Sequence, residues 1–398
     1  MRAYLLDGCR SPIGAYGGSL LPLRATEFGA TVAQALLDRT GVAPERVERL
    51  IAGMVLQHMT ESNPARIVQK RIGVPDERPA WTINMQCCSS MQALITAAQQ
   101  VALGEVDLVL VLGLESMSRA PHTVEGARWG LRLASGEFND ALQECTLAGS
   151  KMWGDPWYMI DVAEHHARVD NIGRAQMDEY ALLSHQRAVA AIDAGYVDDE
   201  IVPIEVPRRS GVDKVFATDE HPRRDCSLET LALLPTVKPD GAITAGNAAG
   251  INDGSAAALV CSERVLGEMD IEPLAEIPLA GTAMAGCDPR LMGYSAVHAL
   301  DAALTRAGRD VDDLDLIECN EGFAVQLIAC RRMGGWPEER VNVDGGSIGL
   351  GHPVGMSGLR IVVHLAHALR RRDGECGAAT VPAGSGLGTA VILDRYRS

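Results

Sequence analysis

The stretch NMQCCSSMQALITAAQQVALG, residues 84–104, is followed almost at once by the apolar run DLVLVL, residues 107–112. Within the first stretch, apolar residues recur at helical spacing with little polar relief, which predicts a largely buried helix over 91–103 that ends at Gly104. The second run is apolar almost throughout, as expected of a parallel strand that is covered on both faces. Together they predict a layered α/β fold.

Two adjacent cysteines, Cys87 and Cys88, lie just before this helix. A thiol at a helix N-terminus lies near free amide N–H groups and the positive end of the helix dipole, and both favour the thiolate. A strand-to-helix turn also presents its side chain outward from the end of the sheet, which makes Cys87 a candidate nucleophile. Free cysteines are often small buried hydrophobic residues instead, and the turn alone leaves both interpretations open.

A comparable order of elements returns near the C-terminus. It comprises a predicted helix over 296–307, a strand over 314–318, a helix over 321–333, a Gly-rich turn at 344–355, a helix over 356–371 and a strand over 377–382. The chain therefore has two βα-rich halves of similar layout, although the residue identity between them is too low to prove a duplication.

Three segments of the second half carry polar groups at turns. His352 lies between a glycine and a proline before a helix, where an imidazole can take a proton from a thiol or donate to a thioester oxygen. Asn320 opens another helix, either as its N-cap or as a group aimed at a ligand oxygen. The backbone N–H groups of the turn at 382–388 can form an oxyanion hole, although a tight turn without function has the same composition.

The middle of the chain differs in texture, with Gly-rich turns, three tryptophans and one amphipathic helix predicted over 174–194. We interpret residues 119–248 as an inserted loop domain, since long segments of this kind usually form lids or contact surfaces. The N-terminal half then comprises residues 1–118 and returns over 249–272, and the C-terminal half comprises residues 273–398.

Composition excludes several classes of protein. A formal net charge of −16 argues against a nucleic-acid partner, which requires clustered Lys and Arg. The ten cysteines are scattered, without the spacing of a disulfide framework or a zinc site. No apolar stretch reaches the roughly 18 residues of a membrane span, and residues 1–7 read as a first strand rather than a signal peptide. We expect a reduced cytoplasmic enzyme with no metal and no membrane partner.

Taken in order, these segments resemble the thiolase family over nearly the whole chain. The matching segments are RSPIG at 10–14, NMQCCSSMQA at 84–93, residues 159–187, NAAGINDG at 247–254, NEGF at 320–323, GHPVG at 351–355 and PAGSGLG at 382–388. The resemblance implies an α/β thiolase fold, in which two similar βα halves form a five-layered α-β-α-β-α core and a loop domain is inserted.

The resemblance also implies an acyltransferase with a ping-pong reaction. Cys87 would be acylated by a thioester, and the acyl group would pass to CoA or to a carbon nucleophile in a Claisen condensation. His352 would activate Cys87 and, with a water held by Asn320, stabilise an enolate. The N–H groups of Cys87 and Gly384 would form a second oxyanion hole, for the tetrahedral intermediate.

Substrate contacts follow from the same resemblance. Residues that match the acyl and CoA pocket of the family are Met159, Arg223, Ala249, Met292 and Phe323. Of these, Arg223 would contact the nucleotide end of CoA. Acyl-CoA or another acyl thioester would be the substrate, with no cofactor. The family is usually dimeric or tetrameric, so we expect a homodimer or homotetramer, with 119–150 as a possible tetramer contact.

The chain departs from the family where a second catalytic thiol belongs. Thiolases carry a cysteine in the closing turn that removes the α-proton of the second substrate, and this chain has Pro382, without a titratable group or N–H. Cys376 lies six residues upstream, roughly 20 Å along a strand. Cys319 precedes Asn320 and could approach the site. Further departures are Ser90 for Gly, Ala249 for Ser, and Ser295-Ala296 for Gly-Pro.

Three functions fit this pattern. The first is a specialised biosynthetic acyltransferase, in which decarboxylation of a malonyl-type substrate, or a nucleophile that is already activated, makes a base unnecessary. The second is an ordinary acetyl-CoA acetyltransferase or 3-ketoacyl-CoA thiolase with a replacement base, such as His352 or Cys319. The third is a non-catalytic subunit that binds acyl groups or scaffolds a complex, which does not explain why Cys87, His352 and Asn320 occur together.

Overall fold

The secondary structure follows the predicted alternation of helices and strands. The structure is a computed structural model that describes residues 2–133, 135–147, 157–207, 214–269 and 271–397. The described strands are β1 (Ala3–Arg10), β2 (Gly14–Ala15), β3 (Arg49–Gly53), β4 (Ala80–Ile83), β5 (Leu108–Ser116), β6 (His122–Thr123), β7 (Asn139–Asp140), β8 (Ile204–Val206), β9 (Lys214–Phe216), β10 (Asn252–Ser262), β11 (Ala275–Ile277), β12 (Thr282–Gly286), β13 (Leu316–Cys319), β14 (Cys376–Ala383) and β15 (Leu387–Asp394).

The α-helices of the described residues are α1 (Ala25–Thr40), α2 (Pro64–Arg71), α3 (Ser89–Ala102), α4 (Ala141–Cys145), α5 (Met159–Val169), α6 (Arg174–Asp193), α7 (Leu228–Ala232), α8 (Glu263–Glu268), α9 (Tyr294–Ala307), α10 (Ala324–Gly334), α11 (Ser347–Leu350) and α12 (Val354–Arg372). Helix α3 starts two residues before the predicted helix 91–103, so that Cys88 becomes its N-cap. Helix α9 ends at Gly308, in a left-handed conformation that glycine adopts without strain.

The strands of the N-terminal half lie in the order β4-β3-β5-β10-β1. Strand β3 is parallel to β4 and β5, whereas β10 is antiparallel to β5 and β1. Every residue of β5 is buried, as its apolar sequence predicted. We expected β5 to have parallel neighbours on both sides, and this is wrong on one of them. There β5 pairs with the antiparallel strand β10, which enters the sheet after the long middle segment.

The C-terminal half repeats this arrangement. Strand β13 is parallel to β14, and β15 is antiparallel to both β14 and β12. Strand β11 pairs with β15 on one side and with β1 on the other, which joins the halves through one eleven-stranded sheet. The two halves therefore share a strand order that their residue identity did not reveal.

Five layers result from the helices that cover these strands. Helices α3 and α12 pack on each other and on strands of both halves, so they form the middle layer. Helices α1 and α2 cover the outer face of the N-terminal strands, and α9 and α10 cover the outer face of the C-terminal strands. This is the predicted α-β-α-β-α core, and it brings the N-termini of α3 and α12 together.

The middle segment contributes α4 to α7 and two short two-stranded sheets. Helix α6 occupies almost the whole of the predicted range 174–194. It is held to the C-terminal half by Glu321, whose carboxylate accepts hydrogen bonds from Tyr180 and Ser184. In the described part of the chain, no helix has both the length and the apolar character needed to cross a bilayer.

Candidate active site

A cavity of about 150 Å³ lies where the N-termini of α3 and α12 meet the turn after β14. We call it the central cavity. Its lining is mostly apolar and comprises Val55, Gln86, Cys87, Met117, Cys145, Thr146, Met159, Ala249, Gly250, Ile251, Met292, Asn320, Gly322, Phe323, His352, Val354, Pro382 and Gly384. An apolar cleft with a few convergent polar groups is the usual form of a site for a small molecule.

The turn before α3 separates the two adjacent cysteines. Gln86 has a φ of 51°, and Ser89 braces the turn by donating to the Gln86 carbonyl at 2.6 Å. As a result Cys87 lines the central cavity, whereas Cys88 is buried in the core and donates to the Val381 carbonyl at 3.2 Å. The interpretation as a small buried hydrophobic residue therefore holds for Cys88 only.

Cys87 and His352 form a hydrogen-bonded pair, with 3.3 Å between Sγ and Nε2. The other ring nitrogen, Nδ1, lies 2.6 Å from the hydroxyl of Ser357, which donates its single proton to the Pro353 carbonyl at 2.9 Å. With its proton on that carbonyl, Ser357 accepts from Nδ1–H, and this tautomer leaves Nε2 as the acceptor for the Cys87 thiol. This is the geometry of a nucleophile beside its general base.

Both members of this pair are neutral at rest. Burial raises the pKa of Cys87 to about 12, and the neighbouring Cys88 adds to the rise. Burial and, to a lesser degree, the charge of Arg360 lower the pKa of His352 to about 3. The expectation that the helix N-terminus favours a resting thiolate is wrong, because the loss of solvation outweighs the helix dipole. The pair can ionise only as the thiol transfers its proton to Nε2.

Two backbone N–H groups face the sulfur of Cys87. They belong to Cys87 itself and to Gly384, and both oppose the rise in the pKa of the thiol. A Cβ atom at Gly384 would lie 2.4 Å from Oε1 of Gln86, so a larger residue here would have to displace that side chain. Paired N–H groups beside a nucleophile are the arrangement that stabilises a tetrahedral oxyanion.

Asn320 belongs to the same cavity, buried to within 1% exposure. It is not a helix N-cap, because α10 begins at Ala324 with Phe323 in the N-cap position. Its Oδ1 accepts from the Ser347 hydroxyl at 2.8 Å, and that hydroxyl accepts from Arg360 at 2.9 Å. Its Nδ2 has no hydrogen-bond partner among the described residues. The amide is therefore held by its oxygen and offers its nitrogen as a donor.

Four of the five predicted substrate contacts line the central cavity: Met159, Ala249, Met292 and Phe323. Arg223 does not. It lies in a separate pocket of about 220 Å³, with His185 and His221 among its neighbours. That pocket also contains Ala248, whose neighbour Ala249 belongs to the central cavity, so the two spaces adjoin along the backbone.

The thiols considered as replacements for the missing cysteine are not at the site. Pro382 lines the central cavity, but Cys319 is buried beside Gln326 and Cys330 in the outer layer. Cys376 lies beside Arg309 at the far end of β14. Alternate residues of a β-strand face opposite sides of the sheet. The sequence alone did not reveal whether Cys319 would face the central cavity or the outer helices.

Two groups near the cavity escaped the sequence analysis. Cys145, at the end of α4, lines the cavity from the middle segment. Glu115, at the end of β5, accepts backbone N–H bonds from Val55, Leu56 and Gly355, and burial raises its pKa to about 7. No sequence signal marked Cys145. The run GLES at 113–116 ends an apolar strand with a charged residue and could have marked Glu115.

No group of three His, Cys, Asp or Glu side chains suited to a metal ion occurs in the ranges that the structure describes. Glu115 and Arg360, whose charges act on Cys87 and His352, are hydrogen-bonded to the Gly355 N–H and to the Ser347 hydroxyl, respectively. The central cavity thus offers two thiols, an imidazole, two carboxamides and backbone N–H groups.

Comparisons with known proteins cover almost the entire chain. The family model "Thiolase, N-terminal domain" matches residues 3–264, and "Thiolase, C-terminal domain" matches residues 271–395. The acetyl-CoA acetyltransferase of Chromobacterium violaceum is 42% identical over 99% of this chain and 100% of its own length.

Solved structures agree with this match. The acetyl-CoA acetyltransferase of Bacillus anthracis has a TM-score of 0.96 and 39% identity, and the match covers 99% of each chain. Human mitochondrial 3-ketoacyl-CoA thiolase in complex with CoA has a TM-score of 0.93 and 40% identity, over 99% of this chain and 98% of that one.

Proposed function

The chain belongs to the thiolase family and is an acyltransferase, and we propose that it carries the transferred acyl group as a thioester on Cys87. The observation that supports this assignment is the 3.3 Å contact between Cys87 Sγ and His352 Nε2, inside a cavity that also presents the N–H groups of Cys87 and Gly384. A scaffold subunit without turnover would not need this arrangement.

In the first half-reaction, an acyl-CoA thioester enters the central cavity. The Cys87 thiol gives its proton to His352 as the sulfur attacks the thioester carbonyl, and the two N–H groups stabilise the tetrahedral oxyanion. The bond to the CoA sulfur then breaks, leaving the acyl group on Cys87. The neutral resting state of both partners supports a proton transfer that accompanies the attack, instead of a thiolate formed beforehand.

In the second half-reaction, the acyl group passes to CoA or to the α-carbon of a second thioester. Asn320 Nδ2 is the donor suited to the enolate oxygen of that second substrate, directly or through a water. The carbanion of the second substrate can arise in two ways. Pro382 favours decarboxylation of a malonyl-type donor, while the acetyl-CoA acetyltransferases among the relatives favour deprotonation by a replacement base.

The acyl donor is an acyl-CoA, and we propose that its nucleotide end lies at the pocket that contains Arg223. That pocket adjoins the central cavity at Ala248 and Ala249, and a human relative is known in complex with CoA. Arg223 is exposed and is the cation there that a CoA phosphate would meet first. We further propose a homodimer or homotetramer, no cofactor besides the CoA substrates, and a cytoplasmic location.

The test is the intact mass of the protein after incubation with acetyl-, longer acyl- and malonyl-CoA. We expect an adduct whose mass identifies the preferred donor, and its complete loss in Cys87→Ala. Cys88→Ala is the matched control, since it removes the adjacent thiol from the core and leaves the cavity intact. An adduct that persists in Cys87→Ala would contradict the assignment of the nucleophile, as would acyl transfer at the wild-type rate.

Product formation with malonyl-CoA and with acetyl-CoA, measured separately, distinguishes the two sources of the carbanion. Product formed only with malonyl-CoA indicates decarboxylation. Product formed from acetyl-CoA alone indicates that a base removes the α-proton.

A further inference from the structure

The central cavity contains a second thiol. Cys145 is the last residue of α4 in the middle segment, and it lines the cavity together with Cys87, His352 and Pro382. Of the ten cysteines, all of which lie in the described part of the chain and are free, only Cys87 and Cys145 line this space. A thiol from the middle segment therefore lines the same cavity as the nucleophile.

The surroundings of Cys145 keep it protonated at rest. Its Sγ donates to the Leu142 carbonyl at 3.0 Å. Burial raises its pKa to about 12, and the negative charges that Glu115 and Cys87 would carry raise it further.

A second observation in the same cavity points to a bound oxyanion. Asn320 is 1% exposed, its Oδ1 is held by Ser347, and its Nδ2 has no partner among the described residues. A buried donor without a partner is costly. An enolate oxygen is a ligand that would satisfy it, and where no carboxylated donor supplies the enolate, a nearby base must remove the α-proton of a thioester.

We propose that Cys145 is the acid/base thiol that removes the α-proton of the second acyl-CoA, in place of the thiol that is absent at Pro382. This inference rests on the proposed acylation of Cys87 and deepens it. It assigns the carbanion to deprotonation rather than decarboxylation, and it assigns the base to the middle segment rather than to the closing turn.

The protons balance over the cycle. As Cys87 is acylated, its proton passes to His352, and the departing CoA thiolate takes the proton of Cys145 and leaves as a thiol. The site then holds an imidazolium and the Cys145 thiolate. The thiolate takes the α-proton of the second acyl-CoA, the carbanion forms a carbon–carbon bond to the acyl carbonyl, and the bond to Cys87 breaks. The Cys87 sulfur recovers its proton from His352.

The experiment follows both half-reactions in Cys145→Ala, Cys145→Ser and a control, Cys287→Ala. Cys287 is also partly buried but lies outside the central cavity. Intact mass after incubation with acetyl-CoA reports acylation of Cys87. Loss of deuterium from methyl-deuterated acetyl-CoA into water reports α-proton removal, and formation of acetoacetyl-CoA reports condensation.

We expect both Cys145 variants to accumulate the Cys87 adduct, with water supplying the proton to CoA, and to lose α-deuterium exchange and condensation by about 10²–10⁴-fold. The control should keep all three activities. Retention of exchange at the control's rate in either variant would overturn the assignment of Cys145 and leave the proposed function intact. The same holds for a wild-type enzyme that forms the adduct without any exchange.

The remaining outcomes are also decisive. Loss of the adduct together with exchange in both Cys145 variants would indicate a structural role and overturn the assignment. Absence of the adduct from the wild-type enzyme would contradict the proposed function itself, and the role of Cys145 with it.

Discussion

The residues Cys87 and His352 are neutral in the resting protein because both are enclosed by the core, and charge is poorly solvated there. A neutral pair suits a carrier of acyl groups. The thiol stays protected until a thioester enters, and the proton moves only when the N–H groups of Cys87 and Gly384 have an oxyanion to stabilise. The helix N-terminus at α3 then acts on the transition state more than on the resting thiol.

Pro382 provides a direct test of the thiol requirement. Pro382→Cys places a thiol in the wall of the central cavity, at the position where the resemblance to the family implies a second cysteine. We expect this variant to raise the rate of acetoacetyl-CoA thiolysis, measured by loss of the substrate's enolate absorbance. Pro382→Ala, which removes the ring without adding a thiol, is the control and should show no rise.

No gain in folded Pro382→Cys would mean that the shape of the cavity, rather than the number of thiols, limits thiolysis. A gain in Pro382→Ala as large as that in Pro382→Cys would lead to the same conclusion.

At the scale of elements, the site depends on how closely α3 and α12 approach each other. Gly358 of α12 faces the first turn of α3, where an added Cβ would lie 2.8 Å from Met91 N and 2.9 Å from Met91 Cβ. Gly53 of β3 faces the same helix, and its Cβ would lie 2.2 Å from Ser90 N. Gly358 lets the helix that follows Cys87 lie against the helix that follows His352, and Gly53 lets the same helix lie close to β3.

Gly358→Ala should therefore force the two helices apart. We expect it to lower the free energy of unfolding by about 1–3 kcal/mol, as overpacking does in other cores, and to slow acylation of Cys87. Chemical denaturation and the time course of the adduct measure the two effects. The matched control is Gly267→Ala in the exposed helix α8, where an added Cβ meets nothing within 4 Å.

The control should be neutral or more stable by about 0.5–1 kcal/mol, since alanine favours a helix over glycine. Equal stability changes in the two variants would contradict the close packing of α3 on α12.

At the scale of the whole molecule, a buried ion network joins the two halves and the middle segment. Arg10 of β1 pairs with Glu200 at 3.0 Å and with Asp219 at 2.8 Å, both from the middle segment. His364 of α12 lies 2.5 Å from Glu200 and 3.3 Å from Asp344. Burial opposes the charge of His364, but Glu200 and Asp344 outweigh it and raise its pKa to about 10.

His364→Ala should destabilise the protein by about 1.5–3 kcal/mol near pH 6, because it removes a positive partner from the buried carboxylates of Glu200 and Asp344, which keep only their arginines. An unfolded histidine has a pKa near 6.5. The contribution of His364 is therefore complete below about pH 6.5 and is lost as the pH rises towards about 10. Denaturant unfolding at pH 6 and pH 9 measures the difference between wild type and variant, which should shrink at the higher pH.

His122→Ala is the control, because this histidine is exposed and belongs to the short strand β6. Its effect should be small at both values of pH. A difference for His364→Ala that stays constant, or grows, between pH 6 and pH 9 would contradict a charged His364 at neutral pH.

Much of the protein could be predicted from the sequence, because the deciding signals are local. Residues that are close in sequence determine where helices, strands and turns begin and end. Examples are the apolar run of β5, the glycine at the end of α9 and the glycines around His352. The ordered segments then identified the fold and placed Cys87, His352 and Gly384 at turns. Residue type and order are enough to locate a side chain when it lies in a turn directly after a strand, because that turn must lie at the edge of the sheet where the strand ends.

Only the tertiary structure decided the rest, since burial and proximity arise between segments far apart in sequence. It showed that burial outweighs the helix dipole at Cys87, that Asn320 is not an N-cap and that Cys319 faces the outer layer. It also placed Cys145 in the lining of the same cavity as Cys87, 58 residues apart along the chain. No local pattern encodes which distant side chain closes a cavity, because that depends on how complete layers pack.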